Sequence, residues 1–373
     1  LKGLVAAEAR PQYLREVESI ARKLDKPFLI QPFKSNANYN KFRLDLEKLE
    51  PDLIISSSYS MIIQDDVLEI SKFGGLNIHF SFLPFFRGCH PTQYALIENS
   101  LFTGVTVHEI SSGIDEGPIV CQQKVNIRFD DTWIDIDKRC EQITDKILKK
   151  NITKFLGGNW ESKAQNEAYA KYYKRRYPED GFFSWNESVI YIYNLNRGLV
   201  FPYPGTLFFD GTSKYFINSF KSIGQIASLK FKYRKVSYHH RKFYFQPLEK
   251  KDRMKLVQYL DSFGSRHNKI PMLQSAKMFL NSKSSIIFFI RNKKSNGIVG
   301  LILLSNISNL EEKIVVFQYI SKKVARFRTD LRDISKFTRS FCTRELGINN
   351  LKFNHIDKKE LLNVLLSNKK MII

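Results

Sequence analysis

Short apolar segments alternate with amphipathic segments along the first 110 residues, and this alternation constrains the fold more than any other feature of the chain. Pro11–Leu24 carries apolar residues at helical spacing, whereas Gly104–Glu109 alternates with the period of two that is typical of a strand. Strands that alternate with helices pair in parallel and are covered on both faces. We therefore predict an α/β fold with a parallel sheet. The predicted strands are Gly3–Ala7, Phe28–Ile30, Leu53–Ser57, Leu76–His79 and Gly104–Glu109, and the predicted helices are Pro11–Leu24, Tyr39–Leu49, Asp65–Lys72, Pro91–Asn99 and Thr132–Phe155.

The chain has 373 residues, which suggests two or three domains. We predict boundaries that give residues 1–155, 156–235 and 236–373. A hydrophobic content of 43% and an aromatic content of 13% exclude a disordered chain. The longest apolar runs are too short to span a bilayer, and no signal peptide is indicated. The four cysteines are widely spaced without a CxxC pair, which favours a reduced, cytoplasmic protein over a disulfide frame or a zinc site.

The net charge of +22 is distributed unevenly along the chain. Residues 1–120 hold 12 Lys and Arg against 15 Asp and Glu, a balance of −3, so the later residues carry a balance of +25. Binding of a phosphate-bearing partner, either a nucleic acid or a nucleotide, is one interpretation. The other is a set of solvated basic faces, because the lysines are scattered and do not form one block.

The residues beyond 240 follow a different order of elements. Asn296–Gly297 lies between two apolar runs, which is a strong signal for a tight hairpin turn. The predicted order is strand (Phe243–Gln246), helix (Lys250–Phe263), strand (Ser285–Arg291), turn, strand (Ile298–Ser305), strand (Lys313–Ile320), helix (Thr329–Gly347), strand (Asn350–Ile356) and helix (Lys358–Leu366).

The densest polar signal follows the predicted strand Leu76–His79. Asn77 and His79 are two residues apart on that strand, so their side chains project from the same face. An imidazole beside a carboxamide suits acyl transfer to an amine, because the imidazole takes a proton and the amide donates to the developing oxyanion. Asp115, in a turn after the next strand, is a candidate to orient the imidazole. Alternatively, Asn77 caps a loop and His79 is a core histidine.

Residues 77–88 read Asn-x-His-x-Ser-x-Leu-Pro-x-x-Arg-Gly, followed by Thr103-Gly104-Val105-Thr106 and by Gly-Ile-Asp-x-Gly at 113–117. This combination resembles the N10-formyltetrahydrofolate-dependent formyltransferases. The resemblance implies a Rossmann-like catalytic core, transfer of a formyl group from N10-formyltetrahydrofolate to a primary amine, catalysis by the residues matching Asn77, His79 and Asp115, and no metal. It implies that the folate lies against Met61, Ile62, Ile63, Ser81, Phe82, Leu83, Pro84, Ser111, Gly113 and Ile114. Family members begin with a strand and helix that precede the run matching Gly3–Ala7, so we expect this chain to be incomplete at its N-terminus.

The resemblance continues through Tyr173–Gly181 and beyond, where these enzymes begin to shape the acceptor site. It implies an acceptor site that includes Arg87, Arg175, Arg176, Tyr177 and Trp185. Arg side chains could hold a pyrophosphate there, and Tyr or Trp could stack on a base. An aromatic interdomain core with a solvated basic rim is the alternative.

The third region, residues 236–373, bears on the identity of the acceptor. Its order of strands and helices resembles the GNAT superfamily of acetyltransferases, not the β-barrel in which methionyl-tRNA formyltransferases end. However, Ser321–Arg328 lacks the glycines with which that superfamily wraps a pyrophosphate, so we expect a binding or dimerisation role and no acetyl transfer.

The sugar N-formyltransferases of surface-polysaccharide pathways resemble the first two regions equally well. We therefore expect the acceptor to be a dTDP-, UDP- or GDP-linked amino-deoxy sugar, with no nucleic acid and a possible homodimer. Methionyl-tRNA formylation is the alternative. A formyltransferase fold that only binds is a third hypothesis, which the filled catalytic positions disfavour.

Overall fold

The structure is a computed structural model that describes residues 1–234, 238–239, 243–248, 252–261, 285–295, 298–305, 314–320, 327–349 and 351–355. These residues form two compact units. The first contains residues 1–95, 102–127 and 134–176, and the second contains residues 96–101, 128–133 and those from 177 onward.

The first 176 residues fold into eight short strands and five helices, close to the predicted pattern. In chain order they are β1 (Leu4–Ala7), α1 (Pro11–Lys23), β2 (Phe28–Gln31), α2 (Tyr39–Glu47), β3 (Ile54–Ser57), α3 (Asp65–Leu68), β4 (Gly75–His79), β5 (Arg87–Gly88), α4 (Pro91–Ile97), β6 (Phe102–Glu109), β7 (Ile119–Asn126), α5 (Trp133–Leu156) and β8 (Tyr172–Tyr173). The sequence analysis did not predict β7 or the short strands β5 and β8.

Local sequence explains where the first helix begins and ends. Pro11 occupies the first helical position of α1, where its missing N–H costs no hydrogen bond. Arg22 and Lys23 lie in the last turn, where positive charge interacts favourably with the helix dipole. Ala21 is buried, whereas Tyr13 is half-exposed. Ile20 and Leu24 are also exposed, so the predicted helix is confirmed, but the apolar residues at helical spacing do not form its buried face.

The α/β architecture is confirmed, and its strand directions are mixed. β1 pairs in parallel with β2, and β3 pairs in parallel with β4. The four-stranded sheet has the order β3-β4-β6-β7, and in it β6 runs antiparallel to both β4 and β7. The link between β6 and β7 is residues 110–118, which is shorter than a parallel crossover requires. The prediction of a purely parallel sheet is therefore wrong for β6 and β7, whereas the pairs β1–β2 and β3–β4 are parallel.

A hydrophobic cluster in the first unit holds α2 and α3 together. Its buried members are Tyr39, Phe42 and Leu46 from α2 and Val67 from α3. They recur at the three- and four-residue spacing that places side chains on one face of a helix. Partly buried residues of β1, β2 and β3 pack against this cluster, among them Val5, Leu29 and Ile54. The cluster therefore packs these three strands against α2 and against α3, the helix that follows β3.

The described part of the second unit contains a six-stranded sheet with the order β11-β12-β13-β14-β15-β16. Neighbouring strands run antiparallel except β15 and β16, which are parallel and are separated in sequence by a helix. The elements are α6 (Val189–Arg197), β9 (Thr206–Phe209), β10 (Lys214–Ile217), α7 (Ile223–Arg234), β11 (Tyr238–His239), β12 (Phe243–Pro247), α8 (Arg253–Asp261), β13 (Ile286–Asn292), β14 (Ile298–Ser305), β15 (Ile314–Ile320), α9 (Phe327–Leu346) and β16 (Leu351–His355).

One hydrophobic core runs through this unit. It joins residues of α6 and α7, such as Ile192 and Ile226, to residues of the sheet and of α9, such as Phe288 and Phe341. Ile334, Phe341 and Leu346 of α9 are buried in this core.

Several predictions about the second half of the chain stay predictions. The three domain boundaries and the GNAT-like nature of residues 236–373 are among them. The Asn296–Gly297 turn, most of the glycine-poor segment Ser321–Arg328 and the predicted helix Lys358–Leu366 lie outside the described residues. In the part of the chain that the structure describes, no helix is long and apolar enough to cross a membrane.

Candidate active site

Two neighbouring strands present polar side chains toward the loop that carries Asp115. β4 and β6 pair so that Asn77 lies opposite His108 and His79 lies opposite Thr106. Residues directly opposite each other on an antiparallel pair project from the same face of the sheet. The register therefore brings two histidines and an asparagine to one face of the first unit.

Asn77 is oriented by hydrogen bonds at both ends of its amide. Ser56 on β3 donates its hydroxyl to Asn77 Oδ1 at 2.9 Å. Asn77 Nδ2 lies 3.0 Å from His108 Nε2 and donates to Asp115 Oδ1 at 3.2 Å. The Asp115 contact fixes which end of the amide carries the NH₂ group, because a carboxylate can only accept, and that group faces the centre of the site.

Asp115 is held by the backbone around it. Its φ of 54° lies in the left-handed region, which aspartate tolerates better than most residues. The backbone N–H of Gly88 donates to Asp115 Oδ2 at 2.7 Å, and Gln165 Nε2 donates at 2.8 Å to the carbonyls of both Asp115 and Gly117. A Cβ on Gly117 would lie 1.8 Å from the carbonyl oxygen of Glu109, so only glycine fits where this loop returns to β6.

The carboxyl of Asp115 is kept ionised. Burial by itself would raise its pKa, but the nearby His79, a hydrogen bond with His108 and the N–H of Gly88 outweigh burial and lower the pKa to about 2. Its two oxygens lie 3.6 Å from His79 Nδ1 and 3.5 Å from His108 Nε2. Asp115 therefore presents a permanent negative charge to both imidazoles.

His79 is buried and is positioned to accept a proton. Its Nε2 lies 2.8 Å from the carbonyl oxygen of Phe86, and since a carbonyl can only accept, Nε2 donates there. Burial lowers the pKa of His79, and the attraction of Asp115 and the Phe86 contact offset that effect only in part. The neutral ring thus carries its proton on Nε2, which leaves Nδ1, the nitrogen facing Asp115, as the basic atom.

The sequence analysis missed His108. This side chain is 2% exposed, and its Nδ1 lies 2.8 Å from the carbonyl oxygen of Glu109. The available signal was its position on the alternating strand, two residues after Thr106 and therefore on the same face. The register between β4 and β6, which brings His108 opposite Asn77, is a property of the folded sheet.

Arg87 forms hydrogen bonds within the chain, and these do not fit the acceptor-binding role predicted for it. Its side chain is fully buried, and its five N–H donors are all engaged. Nε and Nη2 donate to Gln165 Oε1 at 3.1 and 2.8 Å, Nη1 and Nη2 donate to the Glu167 carboxylate, and Nη1 donates to the Tyr172 hydroxyl. No donor is left for a substrate phosphate, so this geometry favours a structural role, in which Arg87 holds Gln165 against the Asp115 loop.

The ten residues predicted to contact folate fall into different environments. Ser81 and Leu83 are buried, and the backbone of Leu83 is bound on both sides, by Thr106 and by Gln122. Ile62 and Ile114 are 56% and 52% exposed. The remaining six, Met61, Ile63, Phe82, Pro84, Ser111 and Gly113, are half-buried.

The other predicted acceptor residues are divided between the units. Arg175 and Arg176 belong to the first unit, whereas Tyr177 and Trp185 belong to the second. Tyr177 is 62% exposed. Trp185 lies in the hydrophobic core and stacks on Tyr233 with ring centroids 5.4 Å apart. The packing of Trp185 fits the aromatic-core alternative better than base stacking.

Residues 8–152 match the formyl transferase family. A stretch of 203 residues is 36% identical to the bifunctional polymyxin resistance protein ArnA of Wigglesworthia glossinidia brevipalpis, and the match covers 52% of this chain and 31% of that protein. The chain thus spans about a third of the length of this curated relative.

Two solved structures are similar at lower identity. One is a sugar N-formyltransferase from a Shewanella species, 18% identical with a TM-score of 0.44, for which the match covers 58% of this chain and 96% of that one. The other is an N-formyltransferase from Helicobacter canadensis in complex with folinic acid and dTDP-3-aminofucose, 22% identical with a TM-score of 0.39, covering 54% and 81%.

Asn77, His79 and Asp115 all fall inside the matched residues, as do the strands that carry them and the loop that holds the aspartate. The resemblance inferred from the sequence motifs is confirmed for this stretch. This similarity to the formyl transferase family covers residues 8–152, which is less than half of the chain.

Proposed function

We propose that the chain transfers a formyl group from N10-formyltetrahydrofolate to the primary amine of a nucleotide-linked amino sugar. The observation that carries this proposal is the convergence of Asn77, His79 and Asp115. The Asp115 carboxylate lies 3.2 Å from the amide nitrogen of Asn77 and 3.6 Å from Nδ1 of the His79 ring, so an amide donor, a neutral imidazole and an ionised carboxylate meet at one place. Acyl transfer to an amine needs these three kinds of group.

His79 accepts a proton from the attacking amine at Nδ1. The ring is suited to this role because its lowered pKa leaves it neutral at neutral pH, and because Nε2 is already committed to the Phe86 carbonyl. Asp115 faces the nitrogen that becomes charged, so its carboxylate stabilises the imidazolium.

Asn77 donates from Nδ2 to the formyl oxygen as that oxygen gains negative charge. The amide is preoriented by Ser56, so little reorganisation is needed when charge develops. Attack forms the new carbon–nitrogen bond of the formamide, and the bond from the formyl carbon to N10 breaks. The proton held by His79 is available to the departing nitrogen.

Residues around the predicted folate segments fit an aromatic ligand with polar edges. Ser60 Oγ and Ser111 Oγ are buried and have no hydrogen-bond partner among the described residues. A buried hydroxyl without a partner is costly, so a ligand that bonds to it is favoured. Ile62 and Ile114 are exposed apolar side chains in the same segments and could cover a flat ring. When bound, N10-formyltetrahydrofolate supplies the activated formyl group.

The acceptor is proposed from the resemblance and from the third region. The described strands after residue 240 form a sheet in which β15 and β16 are parallel neighbours, an order that differs from the barrel expected of a tRNA-formylating enzyme. The name of the Wigglesworthia relative links that protein to polymyxin resistance, and we extend a role in surface-polysaccharide synthesis to this chain. The four cysteines are free, which agrees with a cytoplasmic setting. Formation of a homodimer stays a prediction.

The test is incubation of the full chain with N10-formyltetrahydrofolate and a panel of dTDP-, UDP- and GDP-linked amino sugars, with methionyl-tRNA in parallel. Mass spectrometry of the products identifies the acceptor. We expect turnover of an amino-sugar nucleotide that is lost in His79→Asn. Equal binding without turnover in wild type and variant would favour the binding-only hypothesis.

Salt dependence separates the two classes of acceptor. A ligand held through one or two phosphates loses little affinity between 50 and 200 mM salt, whereas one that engages six or more phosphates loses about 10³-fold or more. We expect the shallow dependence. Formylation of methionyl-tRNA with a steep salt dependence, and no turnover of any sugar nucleotide, would contradict the proposed acceptor.

A further inference from the structure

His108 lies beside Asn77 and Asp115 but takes no part in the proposed proton transfer. It is on β6 directly opposite Asn77 on β4, and its side chain is buried. Burying a polar ring is costly unless its nitrogens are hydrogen-bonded. The role of His108 therefore follows from the atoms that its two nitrogens bind.

The His108 ring carries a proton on Nδ1. This atom lies 2.8 Å from the carbonyl oxygen of Glu109, and since a carbonyl can only accept, Nδ1 donates there. The backbone of Gly117 packs against this contact, because a Cβ at that position would lie 3.4 Å from Nδ1 and 1.8 Å from the Glu109 oxygen. Glycine at 117 thus leaves the hydrogen bond intact, and the ring is held in one orientation.

The other nitrogen of His108 accepts from Asn77. Nε2 lies 3.0 Å from Asn77 Nδ2, which is the NH₂ end of the amide because it also donates to the Asp115 carboxylate. A hydrogen bond from Nε2 to Asp115 Oδ1, the contact through which His108 would lower the pKa of Asp115, needs a second proton on the ring. That contact is longer, at 3.5 Å, and the second proton would set two donors against each other at 3.0 Å. The geometry therefore favours a neutral His108 with an unprotonated Nε2.

The amide of Asn77 is consequently held at three points. The Ser56 hydroxyl donates to its Oδ1, and its two N–H groups donate to His108 Nε2 and to Asp115 Oδ1. Both N–H groups are engaged, so donation to the formyl oxygen requires that one of them be released.

The N–H that binds Asp115 is the one that can be released. When His79 takes up the proton of the amine, its Nδ1 becomes charged 3.6 Å from Asp115 Oδ2, and the carboxylate is attracted toward it. The formyl oxygen gains negative charge in the same step and attracts the released N–H. The hydrogen bond to His108 has no such competitor, because Nε2 of His108 gains no charge.

We propose that His108 is a positioning residue, which anchors one N–H of Asn77 while the other N–H exchanges Asp115 for the formyl oxygen. This inference rests on the proposed function for the reaction. It assigns to His108 no contact with either substrate, so its effect on turnover is transmitted through Asn77.

A matched pair of variants tests the anchor by kinetics. Glutamine and methionine are similar in length, and both lack the Nδ1 donor, but only glutamine offers an oxygen near the position of Nε2. With an accepted sugar nucleotide, His108→Met should lower kcat by about tenfold or more, because a misplaced donor stabilises the transition state poorly. His108→Gln should stay within about threefold of the wild type, and KM for both substrates should change little in either variant.

Two further variants separate the anchor from a general loss of packing. In Asn77→Ala the anchored amide is absent, so adding His108→Met should lower kcat further by less than about twofold. Val107→Ala is the control, because Val107 precedes His108 on β6, is buried and projects from the opposite face. It should lower the melting temperature and leave kcat unchanged well below that temperature.

Nitrogen NMR of the full chain with labelled histidine tests the anchor without any turnover. Ring nitrogens with and without a proton give separate signals, and among the seven histidines those of His108 are the signals missing from His108→Gln. At neutral pH we expect His108 to carry its proton on Nδ1 and none on Nε2. Melting temperatures verify folding, and if His108→Met does not fold, these signals in the wild type still decide.

The outcomes separate this inference from the proposed function. A proton on Nε2 of His108, unchanged kcat in His108→Met, or a full tenfold loss from His108→Met in the Asn77→Ala background would overturn the anchor while leaving formyl transfer intact. A wild type that formylates no acceptor but shows the expected signals would instead overturn the proposed function and keep the contact between His108 and Asn77.

Discussion

Replacing Arg87 by methionine separates two interpretations of the same residue. The motif resemblance places Arg87 in the acceptor site, whereas the structure gives all five of its N–H donors to Gln165, Glu167 and Tyr172. Methionine has a similar length and no hydrogen-bonding donor. The variant therefore removes the donors while leaving most of the packing in place.

The expected loss of stability follows from what the substitution leaves behind. Gln165 is 9% exposed, and without Arg87 its Oε1 loses both donors. A buried acceptor left unsatisfied costs about 1–3 kcal/mol. Glu167 is 68% exposed at its side chain, so water replaces the arginine there at little cost. We therefore expect the free energy of unfolding to fall by about 1–3 kcal/mol.

For a unit of this size, that change lowers the melting temperature by about 2–12 °C. Gln165 also donates to the carbonyls of Asp115 and Gly117. A loosened Gln165 should therefore displace the carboxylate that we propose to be catalytic, and kcat should fall by about tenfold.

Calorimetric melting and steady-state formyl transfer, measured on Arg87→Met and on Glu167→Gln, form the assay. Glu167→Gln is the control because it alters the exposed side of the same cluster and should change the melting temperature much less. An unchanged melting temperature in Arg87→Met, together with a raised KM for the acceptor, would refute the structural role and restore the acceptor-site interpretation.

Three further predictions concern the residues that we propose to be catalytic. His79→Asn should lower kcat by about 10²–10⁴ with little change in KM for the formyl donor, because it removes the base, and near-normal turnover would contradict this. Asn77→Ala should lower kcat by about 10²–10³, and a defect confined to KM would point to substrate positioning instead. Asp115 has a pKa lowered from 3.8 to about 2, so its carboxylate contributes stability that is fully present above about pH 4 and is lost as the pH falls through about 2. The melting temperature of Asp115→Asn should therefore fall less than that of the wild type between pH 5 and about pH 2.5, and parallel curves would exclude the effect.

Most of the strands and all five helices in the first 156 residues followed from local patterns. Helical spacing in Pro11–Lys23 and strict alternation in Phe102–Glu109 depend on residues close in sequence, and the structure reproduces them within a few residues. Asn77 and His79 were also found locally, since a strand places alternate residues on one face.

Strand β7 was missed because its residues Ile119–Asn126 are mixed in polarity and exposed along part of their length. Its pairing with β6 depends on register and not on composition. The partial failure of the parallel-sheet prediction has the same origin, because strand direction is decided by which strands become neighbours.

The sequence by itself determined which functional groups are available, because residue identity alone supplies the imidazole of His79, the amide of Asn77 and the carboxylate of Asp115. The tertiary structure alone decided how those groups meet and which other residues join them. His108 enters the site through the register of β6 against β4. Arg87 lies more than 75 residues from Gln165 and Glu167 in sequence, and it forms hydrogen bonds with both only because the folded chain brings them together. The physical reason is that hydrogen bonding and burial depend on distances in space, and residues far apart in sequence acquire those distances only when the whole unit packs.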